Sequence, residues 1–191
     1  MNDKILGRLG EAARSGALVR LRRSIPGAER IEGFVVGVGA EWTLMAVCTD
    51  IHLDGWAAVR TADITKVRVR GDETCLTVRA LRHRGQWPVQ DPGPAAVLEG
   101  GLPALADAAS RGFGLVSLYE EQRVPDACWI GEVTELRPKS LRVREIDTDA
   151  RWRSAPTTFR FEDVTRIGFG GRYERTLREF AVPHHSAGKL R

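Results

Sequence analysis

Two stretches of the chain carry apolar residues at helical spacing, and most of the remainder reads as short strands. Ile5, Leu6, Leu9, Ala12 and Ala13 recur three and four residues apart, and Gly16 follows as a natural stop. Leu102, Leu105, Ala106 and Ala109 repeat the pattern, with Pro103 in the first turn and Gly112 at the end. Strand-like segments cover residues 17–23, 30–38, 41–49, 56–60 and 65–70 after the first helix. After the second they cover 114–120, 128–136, 140–147, 157–161 and 165–169. Apolar and charged positions alternate in Val67-Arg68-Val69-Arg70 and in Leu141-Arg142-Val143-Arg144, as a half-buried strand requires. Turn residues separate the segments: Pro26-Gly27, Gly39-Ala40, Asp54-Gly55, Pro125-Asp126 and Pro138-Lys139.

The two sets of elements match in sequence as well as in order. Leu9–Gly16 resembles Leu105–Gly112, Leu18-Val19-Arg20-Leu21 resembles Leu115-Val116-Ser117-Leu118, and Ile31-Glu32-Gly33 resembles Trp129-Ile130-Gly131. Trp56 lines up with Trp152, and Asp63-Ile64-Thr65-Lys66-Val67 with Asp163-Val164-Thr165-Arg166-Ile167. Ordered matches at a nearly constant offset imply an internal duplication. The expected fold is mainly β: two tandem duplicated five-stranded small barrels, each preceded by a short α-helix. The first unit spans residues 1–83 and the second 99–183. A Pro/Gly-rich linker, residues 84–98, joins them, and a flexible polar tail occupies 184–191. Trp56 and Trp152 are expected at equivalent, partly buried points.

A helix followed by five short bent strands resembles the small barrels of the SH3-like and Sm-like kind. Gly33-Phe34-Val35-Val36-Gly37-Val38-Gly39-Ala40-Glu41-Trp42-Thr43-Leu44-Met45 is similar to the second and third strands of Sm-like proteins. Val59-Arg60-Thr61-Ala62-Asp63-Ile64-Thr65-Lys66-Val67 is similar to strand four, one-turn helix and strand five of the Hfq-type members. On that pattern Asp63 caps the turn, and Ile64 and Val67 point into the barrel. The RNA-reading residues of the family do not carry over. Gly39 and Thr43 stand where the family has its Asp and an RNA-contacting position. Thr61-Ala62 and Phe161-Glu162 stand where the Hfq type has Lys-His. The second copy, through residues 161–167 and 171–174, also resembles a motif of uncharacterised bacterial proteins, which brings no activity with it.

Composition changes this picture little. The chain has 191 residues, 42% apolar and 28% charged, which excludes wholesale disorder. No run of about 18 apolar residues reads as a membrane span. The charged N-terminal segment does not read as a signal core, and Cys48, Cys75 and Cys128 lie far apart. A cytoplasmic location with reduced thiols is therefore expected. Charge is more informative. The net charge is +4, and of 29 basic side chains only four are lysine. The excess falls entirely within residues 1–90, so attraction for an anionic partner belongs to the first half.

The residues name no enzyme. None of His52, His83, His184 and His185 sits at metal spacing with a cysteine or a carboxylate pair, and no metal or other cofactor is expected. Asp147 and Asp149 read as turn residues, Gly168-Phe169-Gly170-Gly171 lacks the Lys-Ser/Thr of a phosphate loop, and Cys48 reads as an inert core thiol. One constellation remains. If the first and fifth strands pair with Val19, Leu21, Val67 and Val69 inward, then Arg20, Arg22, Arg68 and Arg70 share the outer face, with Arg23 and Lys66 at its margins. The matching positions of the second copy are Ser117, Tyr119, Gly168 and Gly170, so the stripe is one-sided. The expectation is a non-enzymatic module that binds nucleic acid, foremost RNA, through that stripe. The alternative is a protein-interaction or self-assembly module that uses exposed barrel edges.

Overall fold

The computed structural model describes residues 3–90, 92 and 98–182. Helix α1 (Asp3–Ser15) precedes β1 (Leu18–Arg23), β2 (Ile31–Val38), β3 (Trp42–Thr49), β4 (His52–Arg60) and β5 (Ile64–Gly71), with one 3₁₀ turn at Thr61–Asp63. Helix α2 (Leu76–His83) follows. The second half contains α3 (Gly101–Phe113), β6 (Val116–Tyr119), β7 (Trp129–Arg137), β8 (Ser140–Glu145), β9 (Thr157–Arg160), β10 (Arg166–Phe169) and α4 (Arg172–Phe180).

The ten strands form one antiparallel sheet in the order β5-β1-β2-β3-β4-β10-β6-β7-β8-β9, and it is not closed. Two closed five-stranded barrels were expected; instead the halves share one open sheet, fused through β4 and β10. Trp56, Ala57, Ala58 and Val59 lie opposite Phe169, Gly168, Ile167 and Arg166. The reason is apolar: Trp56 packs on Phe169 and Phe113 at ring-centroid distances of 6.0 and 5.1 Å, surfaces that either half alone would leave to water.

The pairings within β6–β10 run in the same register as those within β1–β5. Val19, Arg20 and Leu21 face Val69, Arg68 and Val67; Val116, Ser117 and Leu118 face Phe169, Gly168 and Ile167. Thr43 faces Val59 as Leu141 faces Phe159, and β2 and β7 are each bulged after Val35 and Val133. By this register Trp56 corresponds to Pro156, so the expected equivalence of Trp56 and Trp152 does not hold. The tight β3–β4 turn is replaced by a long β8–β9 connection, in which Trp152 bridges to Ile146 and lies under Arg144, 4.7 Å from the guanidinium.

Helix α1 buries Ile5, Leu9 and Ala12 on Val19, Leu21, Met45, Val59 and Val67. Helix α3 buries Leu102, Leu105, Ala106 and Ala109 on Val116, Leu118, Leu141, Phe159 and Ile167, and that core takes in Trp42, Leu44 and Ala58 of the first half. Helices α2 and α4 were not expected from the sequence. The first buries Val78 and Leu81 on Leu18, Phe34 and Ala46, and the second buries Leu177 on Leu115, Ile146 and Ala150. Both are too short and too polar for apolar periodicity to reveal them. Two local expectations also change. Asp63 sits inside the 3₁₀ turn, and Arg60 takes the cap position without a side-chain bond, although Ile64 and Val67 are buried. In the linker segment Trp87 packs edge-on against Phe34 at 5.3 Å, which attaches that part to the first half. The rest of the linker, from 91 to 97 apart from Pro92, and the tail 184–191 lie outside the described residues.

Candidate nucleic-acid interface

Strand β1 carries Arg20 and Arg22 on the face opposite buried Val19 and Leu21. Strand β5 lies antiparallel beside it, with Arg68 directly opposite Arg20 and Lys66 directly opposite Arg22. Directly opposed residues share a face, so Lys66 belongs inside the cationic group rather than at its margin. Arg70 shares it by alternation, two residues beyond Arg68. Val69 does not enter the core as expected: it is 61% exposed, beside the groove between α1 and β5 that Arg8, Ser15 and Lys66 also line. Arg23 leaves the surface altogether, because the β1–β5 register shifts between Arg22 and Arg23.

The cations differ in their partners. Glu32 on β2, opposite Arg20, accepts a bond from Arg20 Nε at 2.7 Å and lies 3.6 Å from Arg70 Nε. One carboxylate therefore partly neutralises two arginines. Arg22, Arg30, Lys66 and Arg68 have no carboxylate within ion-pairing distance among the described residues, and all four are exposed. Arg20, Leu21, Arg22, Arg30, Lys66 and Arg68 line one shallow depression of about 150 Å³. The corresponding place in the second half is closed: Ser117 is buried, its hydroxyl bonded to Glu174 of α4, and Gly168 lies beneath the same carboxylate.

A buried ionic cluster that the sequence reading did not identify holds the halves together beside this face. Arg23 donates to both carboxylate oxygens of Glu121, with Nη2 2.6 Å from Oε1, and the two side chains are 1% and 3% exposed. Thr165 Oγ1 donates to Glu121 Oε2 at 2.7 Å, and Arg166 Nε stands 3.8 Å from Oε1. Arg166 also lies over the Tyr119 ring at 3.6 Å and reaches Glu29 at 3.2 Å. Burial pushes the Glu121 carboxyl up, but the bonds from Arg23 and Thr165 and the nearby guanidinium charges outweigh it and hold it below the usual range. No local motif signals this pair, because its members are 98 residues apart in sequence.

The other sequence candidates resolve into structure. Asp147 Oδ1 accepts the backbone N–H groups of Asp149 and Arg151, both at 2.9 Å, in a turn. The Gly168–Gly171 run allows close approach: a Cβ on Gly170 would stand 2.8 Å from the Phe113 ring. The start of α4 is occupied by Asp54, whose Oδ1 accepts the Arg172 N–H at 2.7 Å. Cys48 is partly buried in the core beneath α2, and burial, followed by the negative charge of Glu32, pushes its thiol up to about 11. Among the described residues no group of His, Cys, Asp or Glu could hold a metal ion, and no helix is long and apolar enough to cross a membrane. Comparison with protein families, curated proteins and solved structures gives no match to this chain.

Proposed function

We propose that the chain is a tandem duplication of a small Sm-like or SH3-like barrel unit. Its function, on this reading, is to bind nucleic acid, foremost RNA, through the cationic face of β1 and β5. The shared register of the two sets of ladders supports the duplication. The observation that carries the function is the group of Arg22, Lys66 and Arg68, exposed on adjacent strands with no carboxylate partner among the described residues. Guanidinium forks suit phosphate oxygens, and no aromatic ring lines the depression on which a base could stack. Contacts to phosphate give affinity with little sequence preference. Binding is non-enzymatic on this reading. Replacing Arg20, Arg22, Arg68 and Arg70 together by Gln should abolish binding to single-stranded RNA in a fluorescence polarisation assay. Equal binding by the variant and the unaltered protein would refute the reading.

The second reading, assembly through sheet edges, draws on the open edges of β5 and β9. Both edges carry features that discourage pairing: Lys66 and Arg68 on β5, and Pro156 immediately ahead of the four-residue β9. Light scattering after size exclusion tests it. A single 21.1 kDa species favours the nucleic-acid reading, and a larger assembly favours the edges.

A further inference from the structure

Two like-charged pairs stand side by side on the β1–β5 ladder, Arg20 opposite Arg68 and Arg22 opposite Lys66. Directly opposed like charges destabilise a ladder. Glu32 relieves Arg20, but no carboxylate relieves Arg22, Lys66 or Arg68 among the described residues. A fourth cation joins them from outside the ladder: Arg30, at the entry to β2, lines the same depression and also has no carboxylate partner among the described residues. At about 150 Å³ the depression is roomy enough for one oxyanion. Leu21, whose side chain lies in the core, also borders it.

We infer that Arg22, Arg30, Lys66 and Arg68 form a seat for a single phosphate group, either a phosphodiester of a bound strand or free phosphate. The inference rests on the nucleic-acid reading for the source of the phosphate, and it adds Arg30, which lies outside the stripe, as a binding residue. Three arginines and one lysine line the site, so an anion there would meet guanidinium donors and offset the repulsion between the strands.

The test titrates the full chain with inorganic phosphate at constant ionic strength, replacing chloride, and follows the arginine Nε–Hε resonances. The signals of Arg22, Arg30 and Arg68 should move along one saturable curve, while those of Arg142 and Arg175 stay in place. Arg30→Gln should weaken phosphate binding by about tenfold, and Lys139→Gln, an equal charge loss in the second half, should leave it unchanged. Linear shifts spread over all arginines, or an unaltered titration in Arg30→Gln, would overturn the seat. A parallel titration with oligouridine separates the two claims. Oligouridine binding that is lost in Arg22→Gln/Arg68→Gln, alongside a flat phosphate titration, overturns the seat and leaves the nucleic-acid reading standing. Saturable phosphate binding without oligouridine binding supports the seat, with free phosphate as its ligand, and removes the nucleic-acid reading.

Discussion

Replacing Glu121 by Gln should destabilise the chain by about 3–5 kcal/mol, because it leaves Arg23 charged, buried and without its counter-ion. The magnitude follows from position. Both side chains are almost wholly inaccessible, at 1% and 3% exposed, so water cannot take the place of the lost carboxylate. Arg166 stands 3.8 Å from the same group and would lose part of its own compensation, keeping Glu29 at 3.2 Å. For a chain of this length the loss corresponds to a fall in Tm of roughly 6–20 °C. Urea unfolding followed by tryptophan fluorescence and by far-ultraviolet circular dichroism measures it, with coincident curves as the check on two-state behaviour. A double variant, Arg23→Met/Glu121→Leu, should recover most of the loss, since an apolar pair of similar volume avoids the desolvation of two ions. The pH dependence has a definite sign. Glu121 is held below its ordinary value of 4.5, so its contribution is fully present above that pH and is lost as pH falls through the depressed native value. The Glu121→Gln variant should lack this acid-side component. A loss below about 1 kcal/mol would refute the reasoning and leave the connection between the halves to the β4–β10 ladder, apolar packing and the remaining polar contacts, such as Asp54 with Arg172 and Arg60 with the Phe161 carbonyl.

Asp54→Ala should cost about 1 kcal/mol through the lost cap on α4, with faster amide exchange confined to the first turn of that helix; unchanged exchange would contradict the capping role. In a Cys75→Ser/Cys128→Ser background, Cys48 should be roughly one thousandth thiolate at pH 8. Its alkylation rate should therefore climb about tenfold per pH unit toward pH 11, and a plateau near pH 9 would show that burial does not hold the thiol up.

Much of the fold was legible because it rests on local pattern. Short apolar runs and the turn residues between them placed all ten strands to within a few residues, although the alternation in Val67-Arg68-Val69-Arg70 breaks at exposed Val69, and the three-and-four spacing of Leu9 and Ala12 placed α1. What was not legible depends on partners distant in sequence. The fusion of β4 to β10 follows from Trp56 meeting Phe113 and Phe169, and no segment read alone shows that one sheet will run through both halves. Helices α2 and α4 escaped notice because each buries only one or two side chains. The candidate site was readable in part for the same reason. Strand period put Arg20, Arg22 and Arg68 on one side, but the cross-strand register was needed to bring Lys66 opposite Arg22. The depression was needed to add Arg30, and the register shift to turn Arg23 inward to Glu121.

Glu32 provides the sharpest test of the proposal that phosphate meets the cations around Arg22 and Arg68. Glu32 occupies Arg20 and Arg70 from within the face itself. Glu32→Gln should therefore release two arginines without adding any new group. The measurement is the affinity for oligouridine as a function of salt, for the unaltered protein, Glu32→Gln and Arg22→Gln. Glu32→Gln should bind more tightly, with a slope of log K against log salt steeper by about 0.7 for each arginine that gains a phosphate. Arg22→Gln should bind more weakly, with a slope shallower by about the same amount. Unchanged or weaker binding by Glu32→Gln, with the slope of the unaltered protein, would contradict the phosphate-binding role of this face.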